Sequence, residues 1–313
     1  MIKIITHDRI VHADDTFAAA MLRLVFGEVN VQRTRDPEIL RQAAGRPGTY
    51  LLDIGGRYDP AQGLFDHHQP EGAGFRDTHA REWPYATAGL VWKEFGSRAV
   101  RQLHPSLNEG SVKEVVDYID ETLLKFIDAV DCGVRLKNAG PSVSALISSF
   151  NRNWFEPDDD VFPLVMDLVQ VLLVNFINRY AGKVLARDRV RQARRELDGQ
   201  VLVLDACIPW TTIVAEEMPE VLLVVYPVSD ANQAESHWHL RAAMHETSTH
   251  RIQLPHYWGG LERQALARMC GESEAVFCHR SRHLAGASSL DGALRMAQTA
   301  LDDHFSYSDR LAA

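Results

Sequence analysis

Three short stretches in the first 70 residues concentrate imidazole and carboxylate groups: a loop carrying His7, Asp8, His12, Asp14 and Asp15, then Asp53, then Asp66-His67-His68. Mixed nitrogen and oxygen donors suit Mn²⁺, Zn²⁺ or Fe²⁺, whereas Ca²⁺ or Mg²⁺ alone is usually held by oxygens without histidine. Carboxylates able to bridge two ions suggest a pair. Two adjacent ions of this type favour hydrolysis of a phosphate ester or anhydride, because they activate a water and clamp the attacking and leaving oxygens. Asp53 ends the apolar run Leu51-Leu52 and precedes Gly55-Gly56. A carboxylate there is costly unless paired or metal-bound, and the glycines leave the backbone open to a ligand.

Asp128 and Asp131 lie three apart near the end of an apolar helix. They share a face, and acids at a helix C-terminus call for a compensating cation; Asp131 is taken as the ligand and Asp128 as the residue behind it. Arg187, Arg189, Arg191, Arg194 and Arg195 read as the polar face of a long helix with acidic partners. Near the C-terminus, His279, Arg280, Arg282 and His283 precede the small-residue run Ala285 to Ser289, including Gly286. Either substrate phosphate binds there, at a turn that opens a helix, or the turn is simply capped.

The elements that must position these groups alternate at first: strand Ile2–Thr6, helix Asp15–Val25, strand Val29–Thr34, helix Pro37–Ala44, strand Thr49–Ile54 and short strand Leu64–Asp66. Such alternation implies a mostly parallel sheet, whose ligands gather at the carboxyl ends of its strands. His7, Asp53 and Asp66 fall at such ends. Helices follow over Tyr85–Phe95, Ser97–Leu103 and Val112–Ala129, then a long one over Val161–Leu197 with a break near Tyr180-Ala181-Gly182. The acidic run Glu156 to Asp160 reads as a solvated helix start. Strands Val201–Asp205, Val221–Pro227, Trp238–Met244 and Ala275–His279, with helices Leu261–Met269 and Leu290–Leu301, form a second α/β region. The expected division is a catalytic domain over 1–150, a helical connector over 151–199 and a smaller α/β domain over 200–313.

With 313 residues, 46% hydrophobic and 24% charged, the chain has an ordinary globular balance. A net charge of −9 argues against general electrostatic binding of nucleic acid, so a nucleic-acid substrate is expected to be short or single-stranded. Four dispersed cysteines give neither a disulfide framework nor a Cys-rich zinc site. The N-terminus lacks the features of a signal peptide, and the apolar run Val161–Ile177 is interrupted by polar residues, so a cytoplasmic protein with no membrane span is expected.

Together these residues resemble the DHH superfamily of two-metal phosphoesterases, and within it the melanocyte-proliferating-gene family, also called metal-dependent protein hydrolases. The motifs that carry the likeness are Thr6-His7 to Asp14-Asp15, Asp53 to Pro60 with Asp66 to Gln69, Phe126 to Gly133, and Trp258-Gly259-Gly260-Leu261 with Ala275 to His279. Ala13, Asp15 and Cys132 stand where the family has Cys, Glu and Asn, and Ala285-Gly286-Ala287 replaces a Gly-Gly-His type of element. The resemblance implies an α/β fold with a DHH-type, mostly parallel sheet domain. It implies His7, His12, Asp14, Asp53, Asp66 and Asp131 as ligands of two Mn²⁺ ions (Mg²⁺ or another transition metal being the alternatives), with His67 and His68 at the reaction centre.

The expected activity is a metal-dependent phosphodiesterase sited between the domains, a 3′-to-5′ exonuclease on RNA or short single strands. His279, Arg280, Arg282, His283 and Gly286 would bind substrate. A phosphatase of small nucleotides or pyrophosphate and a non-catalytic metal-binding regulator are the alternatives, and a homodimer is compatible with any of them.

Overall fold

The computed structural model describes residues 1–77, 79–80, 82–137, 140–156, 159–228 and 237–312. They form two compact units, Met1–Ala181 and Gly182–Ala313. In the first, chain order is β1 (Ile2–Thr6), α1 (Ala13–Phe26), β2 (Val29–Arg33), α2 (Pro37–Ala43), β3 (Thr49–Leu52), β4 (Tyr58–Asp59), β5 (Leu64–Phe65), α3 (Thr87–Leu103), α4 (Glu109–Ile119), α5 (Lys125–Asp131), α6 (Val143–Ser148) and α7 (Phe162–Arg191), which runs past the boundary. The sheet order is β2-β1-β3-β5-β4. All its pairings are parallel except β4 with β5.

Apolar strand residues explain the layering. Ile5, Leu51 and Leu64 pack against Ile39, Leu40 and Ala43 of α2. Helix α1 is buried from Ala13 to Leu22, and its alanines at 18, 19 and 20 let α3 lie close. Because β1 and β3 are parallel neighbours, their carboxyl ends deliver His7 and Asp53 side by side.

Several expected boundaries shift for identifiable reasons. The two helices expected over Tyr85–Leu103 are the single α3, which carries Gly96 inside it because the Trp92 indole lies 2.8 Å from where a Cβ would stand. Val112–Ala129 is α4 and α5 joined by a π-helical turn over Asp120–Leu124, a feature that re-aims side chains. In the acidic run, Asp160 accepts from the Phe162 N–H at 3.2 Å, starting α7; Pro157 and Asp158 lie outside the described residues.

Helix α7 continues unbroken through Gly182 and ends at Arg191, since Arg194–Glu196 instead forms strand β6. By length and composition α7 could cross a membrane. Phe162, Val165, Val169, Leu173 and Ile177 are buried while Leu164, Leu168, Val171 and Phe176 are exposed, so the burial expected for this segment holds on one face only.

The second unit continues with β6 (Arg194–Glu196), β7 (Val201–Val203), α8 (Thr211–Glu217), β8 (Leu223–Val228), β9 (His237–Ala242), α9 (Arg263–Cys270), β10 (Ala275–Cys278), β11 (Leu284–Ala287) and α10 (Leu290–Ala312). The mixed sheet runs β10-β11-β9-β8-β7-β6. Alternation along β8 sends Leu223 and Val225 to the face covered by α10, and Val224 and Tyr226 to the face covered by Trp210, Ile213 and Val214. The Arg251 guanidinium closes the end of α8, donating to the carbonyls of Val214, Ala215, Met218 and Val221.

Candidate metal centre

The loop from His7 to His12 is pinned by the protein before any ligand arrives. Arg33 donates to the carbonyls of His7, Arg9 and Ile10, and Asn151 exchanges two hydrogen bonds with the Val11 backbone at 2.7 and 2.9 Å. At the end of the loop His12 caps α1, its N–H donating to Asp15 Oδ1 at 3.1 Å. Asp14 and Asp15 therefore sit in the first turn of α1, buried.

Asp53 is the centre of the arrangement. It has a left-handed backbone (φ 55°), an unusual conformation for a residue with a Cβ, which turns its carboxylate across the ends of the strands. One oxygen, Oδ2, lies 3.2 Å from His7 Nε2 and 3.8 Å from His12 Nδ1. The other, Oδ1, lies 3.2 Å from His67 Nε2 and 3.4 Å from His68 Nδ1. His67 Nε2 also stands 3.0 Å from Asp131 Oδ2 and 3.9 Å from Asp14 Oδ2. Among the described residues, three donor sets close enough to hold an ion result: His7, His12 and Asp53; Asp53, His67 and His68; and Asp14, Asp53, His67 and Asp131.

The electrostatics are those of a site built for cations. Both oxygens of Asp14, Asp15 Oδ2, His7 Nε2 and His67 Nε2 are buried without a hydrogen-bond partner, an arrangement that is expensive unless something else binds them. Burial, then the neighbouring Asp53 and Asp131, push the Asp14 carboxyl well above the usual carboxylate range, and burial takes Asp15 up to about 7. Burial also works against ionisation of Asp53, yet His12, His67 and His7 outweigh it and hold that carboxyl far below its ordinary value. Burial disfavours charge on His67, but Asp131 and Asp53 more than reverse this. Divalent cations in place of those borrowed protons would engage the orphaned atoms of His7, Asp14 and His67, so the donor set fits the metal chemistry expected of it.

Of the expected ligands, His7, His12, Asp14, Asp53 and Asp131 are brought together, and His67 and His68, expected at the reaction centre, enter the same sets. Asp66 enters none of them. Its Oδ2 accepts from the Gly56 N–H at 2.5 Å, and its Oδ1 faces the His68 N–H at 3.1 Å and His68 Nδ1 at 2.8 Å. Asp15 belongs to the same acidic stretch but not to the expected ligand set; its Oδ2, 3.3 Å from His7 Nε2, joins the group only in the fold. Asp128 points the other way, accepting from the Gly89 N–H at 3.0 Å and from Arg76 at 2.9 Å. Arg76 is the compensating cation for Asp128, whereas Asp131 faces His67. Cys132 Sγ touches His67 Nδ1 at 3.5 Å.

In the second unit, Ser281 Oγ lies 2.6 Å from His279 Nδ1 and 2.7 Å from His283 Nδ1, and the ring of His250 is 5.3 Å from that of His283. Arg280 is exposed. Arg282, with φ 57°, is turned onto the protein, donating to Gln253 and to the Leu254 carbonyl. The small-residue run expected to be a turn is largely strand: Leu284–Ala287 is β11, paired on both sides. Gly286 lies within it because the Phe277 ring occupies the space of a Cβ, 2.4 Å away, so a packing requirement places this glycine.

The family model MYG1_exonuc, described as "Uncharacterised protein family (UPF0160)", matches residues 3–301. The MYG1 protein C694.04c of Schizosaccharomyces pombe is 30% identical over 332 residues, covering 96% of this chain and 98% of its own. The MYG1 exonuclease of Rattus norvegicus is 31% identical over 330 residues, covering 95% and 84%. Among solved structures, a Vibrio pGpG-specific phosphodiesterase aligns over 96% of this chain and 99% of its own at 12% identity, with a TM-score of 0.28, a superposition too loose to bear on function.

Proposed function

Since the chain belongs to the MYG1 family, in which mammalian relatives carry the name exonuclease, we propose that it is a metal-dependent phosphodiesterase of the DHH type. It would trim RNA or short single-stranded nucleic acid from the 3′ end. The observation that carries this is the split of Asp53, whose two oxygens face two different histidine sets across a group of buried, unpartnered acids. A carboxylate so placed would suit two cations shared between its oxygens.

In this reading His7 and His12, with Asp15 beside them, would hold one cation, Asp14, His67 and Asp131 the other, and Asp53 would serve both. Two bound divalent ions, Mn²⁺ in this proposal, would supply water activation and neutralise charge on the phosphoryl oxygens. His68 is the residue best placed to move a proton. Its side chain is 61% exposed, Asp66 holds its Nδ1 at 2.8 Å, and the pKa of the ring is raised chiefly by that contact. The protonated ring thus presents its other nitrogen to the leaving oxygen. His279, Arg280 and His283 would contact phosphates of the bound strand.

The test is a screen of RNA, single-stranded DNA, dinucleotides and pyrophosphate with Mn²⁺, Mg²⁺ or chelator. The proposal expects metal-dependent release of mononucleotides from 3′ ends. Hydrolysis confined to pyrophosphate or mononucleotides would replace it with the small-nucleotide phosphatase suggested by the net charge of −9.

A further inference from the structure

The pinned loop that presents His7 and His12 has a second side. Between those ligands, Asp8, Arg9 and Ile10 form one wall of an open cleft of about 1080 Å³, whose other walls are Arg33, residues 151–154 and residues 159–161. Two of its properties are unusual for a bare surface. Trp154 is 92% exposed, with Phe155, 68% exposed, packed edge-on against it at 5.6 Å; indoles are seldom left in water without a partner. The charges are also unevenly satisfied. Arg33 pairs with Asp160 and Asp8 with Arg35, whereas no carboxylate among the described residues pairs with the Arg9 guanidinium. Arg152 holds the Glu156 carbonyl.

An aromatic platform beside the Arg9 guanidinium, opening from the loop that bears His7 and His12, matches how single strands are held: bases stack and cations follow the backbone. We propose that this cleft is the binding site for the nucleotide next to the one being cleaved, with its base on Trp154 and its phosphate at Arg9. This rests on the exonuclease reading and deepens it, because it makes the preferred substrate a strand of at least two nucleotides. The left-handed backbone of Arg9 (φ 71°), held by the Arg33 contact to its carbonyl, keeps that side chain on the cleft side of the loop.

The experiment compares wild type, Trp154→Ala, Trp154→Phe and Arg9→Asn, the last chosen because Asn tolerates a left-handed backbone. Each is assayed with Mn²⁺ on an eight-nucleotide oligouridylate and on bis(p-nitrophenyl) phosphate, and its binding to the fluorescently labelled oligouridylate is followed by anisotropy. Trp154→Ala should raise KM and Kd for the oligonucleotide about tenfold while leaving turnover of the small diester unchanged, and Trp154→Phe should recover most of the loss. Arg9→Asn should flatten the salt dependence of binding by a log–log slope of about 0.7, one single-strand phosphate. Wild-type cleavage of the oligonucleotide with an unchanged Trp154→Ala KM would overturn the cleft assignment and leave the exonuclease reading standing. Wild-type cleavage of the small diester but no cleavage or binding of the oligonucleotide would overturn both.

Discussion

Two clusters of buried acids lie within the first unit, and they solve the same physical problem in opposite ways. Asp128 and Asp120 are neutralised by the protein itself. Arg76 donates to Asp120 at 2.6 and 2.7 Å and to Asp128 at 2.9 Å, while its guanidinium lies over the Tyr85 ring. Gly89 completes the pocket; a Cβ there would fall 1.9 Å from Asp128 Oδ2. Asp14, Asp15 and Asp53 have histidines as their nearest counter-charges, and both oxygens of Asp14 and Oδ2 of Asp15 have no hydrogen-bond partner. The difference separates a cluster neutralised within the fold from one whose donors could hold a cation, although both contain fully buried carboxylates.

If that contrast is sound, the two clusters should respond oppositely to the same kinds of substitution. The largest effect on turnover is expected for Asp53→Asn, which keeps the left-handed backbone but loses bridging charge: activity measured at saturating Mn²⁺ should fall by about a thousandfold or more. Retention of a tenth of wild-type turnover would remove Asp53 from the bridging position. Arg76→Ala should instead act on stability. It strands Asp128 and is expected to lower unfolding free energy by about 3–5 kcal/mol in urea, with added Mn²⁺ shifting variant and wild type by the same increment; a loss below ~1 kcal/mol would mean that Asp128 is not held by this pair.

These two clusters also show how far the chain could be read before the fold was known. The alternating strands and helices of the first 70 residues were legible because apolar runs end in polar turns, and the fold class follows from them. The histidines and Asp53 stood out because a carboxylate at a strand end has few innocent explanations. Asp128 and Asp131 could not be resolved in the same way as to their contacts, since residues three apart share a helix face until a distant partner separates them, and Arg76 lies some 50 positions away. Asp15 was hidden by doing two things at once, capping α1 through Oδ1 and facing His7 through Oδ2. Gly286 looked like a turn because the ring of Phe277, which excludes a Cβ there, arrives from a neighbouring strand. The same holds for Arg194–Glu196, where charged residues suit a helix surface but form an edge strand against β7.

Smaller effects refine the comparison. Asp66→Ala removes the acceptor that orients His68 and is expected to cost about 10- to 100-fold in turnover without changing the number of metal ions bound; loss of an ion would make Asp66 a ligand after all. Asp15→Asn tests the unmatched charge in the metal-free protein. A carboxyl whose folded pKa is raised to about 7 contributes stability that is present below its unfolded value and is lost as pH rises through 7. Asn removes that loss, so the variant should be more stable than wild type by about 1 kcal/mol at pH 8, and the gain should disappear toward pH 4. A variant that is no more stable at pH 8 would mean that Asp15 is matched without metal.

The central claim, that this donor set binds two cations shared by Asp53, is tested most directly by equilibrium dialysis against Mn²⁺ with elemental analysis of wild type and Asp53→Asn. The account predicts two ions per wild-type chain and fewer, more weakly held, in the variant. Saturation of the wild type below one ion per chain, or an Asp53→Asn chain that binds two ions as tightly as wild type, would contradict it.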